Sequence, residues 1–180
     1  MRKVVAYLLV SLDGVVEEPG DWLEHFDDDV QANMVEVINA QDAVLLGRGM
    51  YQEWAAYWPN TKEEPLFAEF INHVHKYVVS TTLSDVDGWQ PATLIQRDVT
   101  EAIAQLKQQP GKNIGVHGSI TLVRWMLEQN LVDELALVVF PVLAGGGKRL
   151  LHEGDSLKRL NLVRSQATRS GALILTYRVT

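Results

Sequence analysis

A strand-like apolar run, Asn113 to Val116, passes through His117-Gly118-Ser119 straight into an amphipathic helical pattern that continues to Gln129. The same switch occurs upstream, where Ala43-Val44-Leu45-Leu46 meets Gly47-Arg48-Gly49 and a second helical pattern. Strands joined through helices pair in parallel by right-handed crossovers, so this alternation restricts the chain to a layered α/β fold. A small-residue turn between strand and helix also aims backbone N–H groups and the positive helix end outward, where a phosphate binds. Two such turns in one chain predict a nucleotide site.

The remaining pattern fills in the layers. Val4 to Val10 is a continuous apolar, β-branched run suited to a strand covered on both faces. The acidic segment Glu17 to Asp29 contains Pro19 and Gly20 and reads as a loop, leading to a helix capped by Asp27, Asp28 or Asp29 with Val30, Met34, Val37 and Ile38 on one face. Met50, Trp54 and Tyr57 share a face of the next helix, and Pro65 to Val74 is another. Tyr77 to Val79 and Thr93 to Ile95 read as short strands, with a helix from Thr100 as cap through Lys107 stopped by Pro110-Gly111. Glu134 to Val142, Asn161 to Ala167 and Gly171 to Val179 then predict antiparallel strands. The expectation is one domain over residues 1–180, with a mostly parallel mixed sheet, antiparallel C-terminal strands and helices on both faces.

Bulk properties narrow the function. A net charge of -7 argues against nucleic acid as partner, because binders of phosphate backbones carry a clustered basic face. Arg2-Lys3 before the first apolar run superficially suggests a secretory signal. That run is short and lacks a small-residue cleavage site, so a buried first strand and a cytoplasmic protein without membrane attachment are expected. The chain has no cysteine, which excludes disulfides and thiolate metal sites. His25, His73, His75, His117 and His152 are dispersed without metal-ligand spacing, so no metal is expected; His73 and His75 read as surface residues near a helix end.

Several groups are candidates for chemistry. Gly47 lets a phosphate approach the backbone, and Arg48 offers it a fork of donors. Ser80-Thr81-Thr82 places hydroxyls at a third strand end, as a ribose-phosphate contact or a polar turn. His117 sits at the second glycine turn, equally suited to ligand contact and to packing. Gly145-Gly146-Gly147-Lys148-Arg149 fails as a P-loop, since Arg149 stands where a Ser or Thr is required, although Lys148 and Arg149 could reach an anion. Asp27, near Trp22, is the candidate proton donor: a desolvated carboxyl beside an aromatic ring has a raised pKa.

Together, Ser11-Leu12-Asp13-Gly14, Asp42 to Arg48, His117-Gly118-Ser119 and Leu131-Val132-Asp133-Glu134-Leu135 through Pro141 to Gly147 resemble the dihydrofolate reductase-like superfamily. The resemblance is specifically to the C-terminal reductase domain of the bacterial riboflavin deaminase-reductase, the 5-amino-6-(5-phosphoribosylamino)uracil reductase. It implies an oxidoreductase that binds NADPH through Gly47, Arg48, Ser80, Thr81, His117, Gly118, Ser119, Ile120 and Thr121. Arg48 and the Ser80 hydroxyl region would select the 2′-phosphate, the Gly118 turn would hold the pyrophosphate, and Leu9, Ser11 and Val16 would border the nicotinamide. Asp13, Trp22 and Trp54 would line the substrate site, and members of this kind commonly form homodimers through the C-terminal strands.

Two segments depart from the family pattern. Glu24-His25-Phe26-Asp27 and Trp54 to Pro59 stand where riboflavin reductases have an arginine-containing segment and an Asp-Asn-Pro motif for the phosphoribosyl group. An acidic, aromatic pocket suits a phosphorylated sugar poorly. The expectation is a stand-alone reductase for a small heterocyclic, carbonyl or imine substrate. The alternatives are a nucleotide-binding or sensing protein of the same fold without turnover, and an interaction module displaying Trp54, Tyr57 and Trp58.

Overall fold

A computed structural model describes residues 1–24 and 26–180. Its eight strands form one sheet in the order β4-β3-β2-β5-β1-β6-β8-β7. These are β1 (Val4–Ser11), β2 (Gln41–Gly47), β3 (His75–Val79), β4 (Ala92–Ile95), β5 (Asn113–His117), β6 (Glu134–Phe140), β7 (Leu160–Ala167) and β8 (Leu173–Val179). From β4 through β6 every neighbouring pair is parallel, whereas β8 runs antiparallel to both β6 and β7. The expected mixed α/β sheet is therefore present. β1 lies between β5 and β6, as its uninterrupted apolar run requires.

Alternation along β1 sends its side chains into two layers. Val4, Ala6 and Leu8 join a core completed by α5 (Val99–Gln108) and α6 (Ile120–Glu128). On the opposite face, Val5 and Tyr7 pack with α2 (Asp28–Asn39), and Val44, Leu46 and Val78 pack with α2, α3 (Arg48–Tyr57) and α4 (Pro65–His73). Right-handed crossovers account for this division: the chain moves outward from β1 to β3 with helices on one face, then returns through β5 to β6 with helices on the other. The carboxyl ends of β2, β5 and β1 consequently meet where the direction of travel reverses, the usual place for a ligand in an open α/β sheet.

The structure corrects several local expectations. The acidic segment contains a one-turn helix, α1 (Pro19–Trp22). Asp98, in the left-handed region, precedes α5, so Thr100 lies inside that helix rather than capping it. β3 starts at His75 instead of Tyr77 because Lys76 is fully buried, its Nζ donating to the carbonyls of Ile71 at 3.0 Å and Val74 at 2.9 Å. His75, expected at the surface, is half-buried within that strand, and its Nε2 pairs with the Thr93 hydroxyl at 2.8 Å. On α3 the buried side chain is Tyr51, whose hydroxyl donates to the Val86 carbonyl at 2.8 Å; Tyr57 lies largely exposed.

Candidate nucleotide-binding and active site

The two glycine turns are in contact. β2 and β5 are neighbours, and the Gly47 N–H donates to the Ser119 hydroxyl at 3.1 Å. Ser119 immediately precedes α6 but does not cap it; neither α6 nor α3 has a side-chain N-cap or an acidic residue in its first turn. Their first N–H groups therefore keep the partial positive charge of the helix end. Gly118 and Ser119 both lie in the left-handed region, at φ 60° and 40°. A Cβ at Gly118 would stand 2.5 Å from the Met50 Cε, the movable end of that side chain, and 3.8 Å from the Trp54 Cζ2, so the conformation favours glycine and a larger residue has to displace Met50.

Beside these turns, the Arg48 guanidinium donates to the Thr82 hydroxyl at 2.9 Å on an exposed surface. Ser80 is buried and uses its hydroxyl within its own turn, accepting from the Thr82 and Leu83 N–H groups at 3.2 and 3.1 Å. The polar-turn alternative thus describes Ser80, while Thr81 and Thr82 remain exposed. Ile120 is half-buried and Thr121 exposed at the start of α6. The participation of Thr82 with Arg48 depends on pairing between β2 and β3, which residue order alone does not display.

His117 is packed rather than presented. It is 3 % exposed, lies against the rings of Tyr7, Phe67 and Phe70, and shares a 2.8 Å hydrogen bond with Gln41 Oε1. Burial pushes its pKa down to about 4, leaving the imidazole neutral.

The loops after β1 and β6 are fastened together. Ser11 is buried, its hydroxyl donating to Asp13 Oδ1 at 2.6 Å and accepting from the Val15 N–H. Asp13 also accepts from the Ala144 and Gly145 N–H groups at 2.9 and 2.8 Å. The Ser11 hydroxyl, followed by these two N–H groups, draws the Asp13 pKa down to about 2. Val16 is buried and donates its N–H to the Lys148 carbonyl, while Leu9 is half-buried against the core. Lys148 pairs with Glu17, and Arg149 donates to the Asp13 carbonyl at 3.0 Å. The two cations that could have reached an anion therefore already hold partners within the fastening.

Asp27 is the N-cap of α2. Its Oδ1 accepts from the Val30 N–H at 2.8 Å and its Oδ2 from the Ser170 N–H at 2.9 Å. Desolvation opposes ionisation, but the hydrogen bonds from Val30, Ser170 and Thr168 outweigh it and hold the carboxyl well below the usual range. A proton donor needs a raised pKa, so this environment runs opposite to the expectation. Trp22 donates its indole N–H to the Glu17 carbonyl at 3.0 Å and meets Phe140 edge-on, while Phe26 stacks on Phe140. Trp54 packs with Trp58 and Phe67 at the other side of the turns, favouring core packing over an exposed interaction cluster. His25, within the first departing segment, lies outside the described residues.

Among the described residues no group of three or more potential ligands could hold a metal ion, and no helix is long and apolar enough to cross a membrane. Comparison with known proteins agrees with the architecture. Bacillus subtilis YyaP, an uncharacterized protein, is 29% identical over 179 residues, which covers 98% of this chain and 94% of that protein. The fold of a candidate riboflavin biosynthesis protein from Shewanella sp. PV-4 superposes with a TM-score of 0.77 at 21% identity, covering 99% of both chains. The diaminohydroxyphosphoribosylaminopyrimidine deaminase/5-amino-6-(5-phosphoribosylamino)uracil reductase of Thermotoga maritima superposes with a TM-score of 0.70 at 13% identity, covering 99% of this chain and 57% of that one. Residues 2–174 match the model of the RibD C-terminal domain family, and the chain belongs to that family.

Proposed function

We propose that this protein is an NADPH-dependent reductase of a small planar heterocycle or a related carbonyl or imine compound. The observation that carries this is the hydrogen bond from Gly47 to Ser119, which sets two uncapped helix ends side by side at the carboxyl ends of β2 and β5. Gly118, Ser119, Ile120 and Thr121 supply the pyrophosphate cradle, and Gly47 with Arg48 and Thr82 supplies the 2′-phosphate contact. Ser80 and His117 act from behind, by shaping these turns. The cofactor, when bound, supplies the hydride; the protein's task is to place an electrophilic carbon beside it.

Leu9, Ser11 and Val16 form the nicotinamide border, with Asp13 fixing the shape of the loop. Trp22 and Trp54 are the aromatic boundaries for the substrate. The adjoining loops are rich in carboxylates, and Lys148 and Arg149 are already paired, which favours an unphosphorylated substrate. Asp27 serves as scaffold, so the substrate takes its proton from elsewhere. A ligand-sensing protein without turnover is the second reading, favoured by that ionised carboxyl. Steady oxidation of NADPH with any pterin, pyrimidine or quinone would eliminate it.

The edge strand β7 carries exposed Leu160, Leu162 and Val163, and a second copy of the chain covering this edge makes a homodimer. Sedimentation showing only monomer at micromolar concentration would count against the dimer. Titration with NADPH, with NADH as comparison, tests the cofactor assignment, because Trp54 beside Gly118 gives a fluorescence reporter. Saturable quenching with preference for NADPH is the expected outcome; absence of binding by either nucleotide would remove the proposal.

A further inference from the structure

At the other end of the strands, on the α2 face, a cavity of about 150 Å³ opens between α2 and strands β1, β6 and β8. Val5, Val37, Ala136 and Ile174 supply apolar lining, and Asn33 and Gln41 bring carboxamides to it. Both amides belong to buried residues, 7% and 5% exposed respectively. Gln41 spends one amide atom on His117, and its placement is built into the sheet, because a Cβ at Gly115 would overlap the Gln41 carboxamide. The other amide atom of Gln41 and both polar atoms of Asn33 have no protein partner among the described residues. These three amide atoms face solvent through the mouth of one cavity, and an occupant that displaces that solvent has to pair them in its place.

The rim indicates the class of that occupant. Arg164 is paired with Glu36 at 2.8 Å, and Glu134 with Lys3 at 2.7 Å, so the charges around the cavity are already compensated and no cation or anion is selected. Carboxamides offer donor and acceptor together, which matches a ring bearing adjacent N–H and C=O groups. We propose that this cavity is a second ligand site that takes a neutral lactam or cyclic urea, separate from the cofactor turns at the opposite ends of the same strands.

The test is a titration of ¹⁵N-labelled protein with 2-pyridone, which carries that donor and acceptor pair on a ring the cavity accommodates. Saturable shifts of the Asn33 and Gln41 side-chain amide resonances are expected, with N-methyl-2-pyridone weaker by at least about tenfold because it lacks the N–H. Val37→Phe fills the cavity and is expected to abolish the shifts. Asn33→Leu, which keeps a similar side-chain volume without polar atoms, is expected to weaken them while the protein remains folded by circular dichroism. No saturable shift at millimolar 2-pyridone, equal binding of the N-methyl compound, or shifts that survive both substitutions would each overturn the assignment. NADPH titration of the same samples reads the other site independently.

Discussion

Helix α2 and the pair α3 and α6 end in the same dipole but treat it oppositely. The N-terminus of α2 is filled by the protein itself: Asp27 caps it, and Asp28 and Asp29 occupy its first turn. Those of α3 and α6 have no side-chain cap and no carboxylate in the first turn, and glycine precedes or adjoins each start. Capping stabilises a helix end, so two neighbouring ends left bare at one sheet crevice support the proposed anion site there. α4 also lacks a side-chain cap and a first-turn carboxylate, so what sets α3 and α6 apart is that their starts are joined by the Gly47 to Ser119 hydrogen bond at the crevice.

The largest effect is expected from giving α6 what α2 already has. In Gly118→Asp the carboxylate occupies the anion position, and the new Cβ meets Met50. NADPH affinity should fall by about 100-fold or more, the equivalent of losing one or two charge-assisted hydrogen bonds and adding repulsion. Gly118→Ala separates the causes in the same fluorescence titration, since it carries the crowding and backbone strain without the charge. Equal losses in the two variants would mean that the turn is merely structural.

Support for the bare turn comes from His117, one residue before Gly118, and pH sharpens its role. Its folded pKa of about 4 lies below the ordinary 6.5, so the unfolded chain binds more protons between these values. Stability from this group is therefore full above pH 6.5 and is lost as pH falls towards 4, by up to about 3 kcal/mol. Urea unfolding across this window reads the slope. His117→Gln, which cannot take up a proton, should flatten that component.

At the filled end, Asp27→Ala removes a cap and the bond to Ser170 together, and should cost about 2 kcal/mol at pH 7 in chemical denaturation while leaving NADPH binding unchanged. Because its folded pKa is depressed, the carboxylate's contribution is present above the unfolded value and fades as pH falls below it. A large loss of turnover with unchanged stability would instead return Asp27 to the chemistry.

How much of this was visible in the residues differs between the two kinds of end. The strand and helix alternation, the mixed sheet and both glycine turns follow from local periodicity and small residues, and those features are short-range in sequence. The α2 cap was also foreseeable, as one of three adjacent aspartates. By contrast, the hydrogen bonding that lowers the Asp27 pKa was not legible, because its second partner, Ser170, lies 143 residues away. The Asp13 fastening spans 131 residues to Ala144, and the burial of Lys76 depends on its ammonium closing the carbonyls at the end of α4. Hydropathy reports which residues leave water; it does not report which distant backbone group a buried polar atom will meet.

The smallest predicted effect tests the charge that accompanies the bare ends. Arg48 starts α3, is exposed, and has Thr82 as its hydrogen-bond partner. Little stability rests on it, so Arg48→Met should leave thermal unfolding nearly unchanged. If its guanidinium meets the 2′-phosphate, the substitution should weaken NADPH by about tenfold, some 1.4 kcal/mol, and leave NADH almost unaffected. That asymmetry separates a phosphate contact from damage to the turn, since a distorted Gly47 to Ser119 junction would weaken both nucleotides alike. Raised salt should shrink the wild-type preference for NADPH towards that of the variant, because an exposed ion pair is screened while a cradle of backbone N–H groups depends on salt much less.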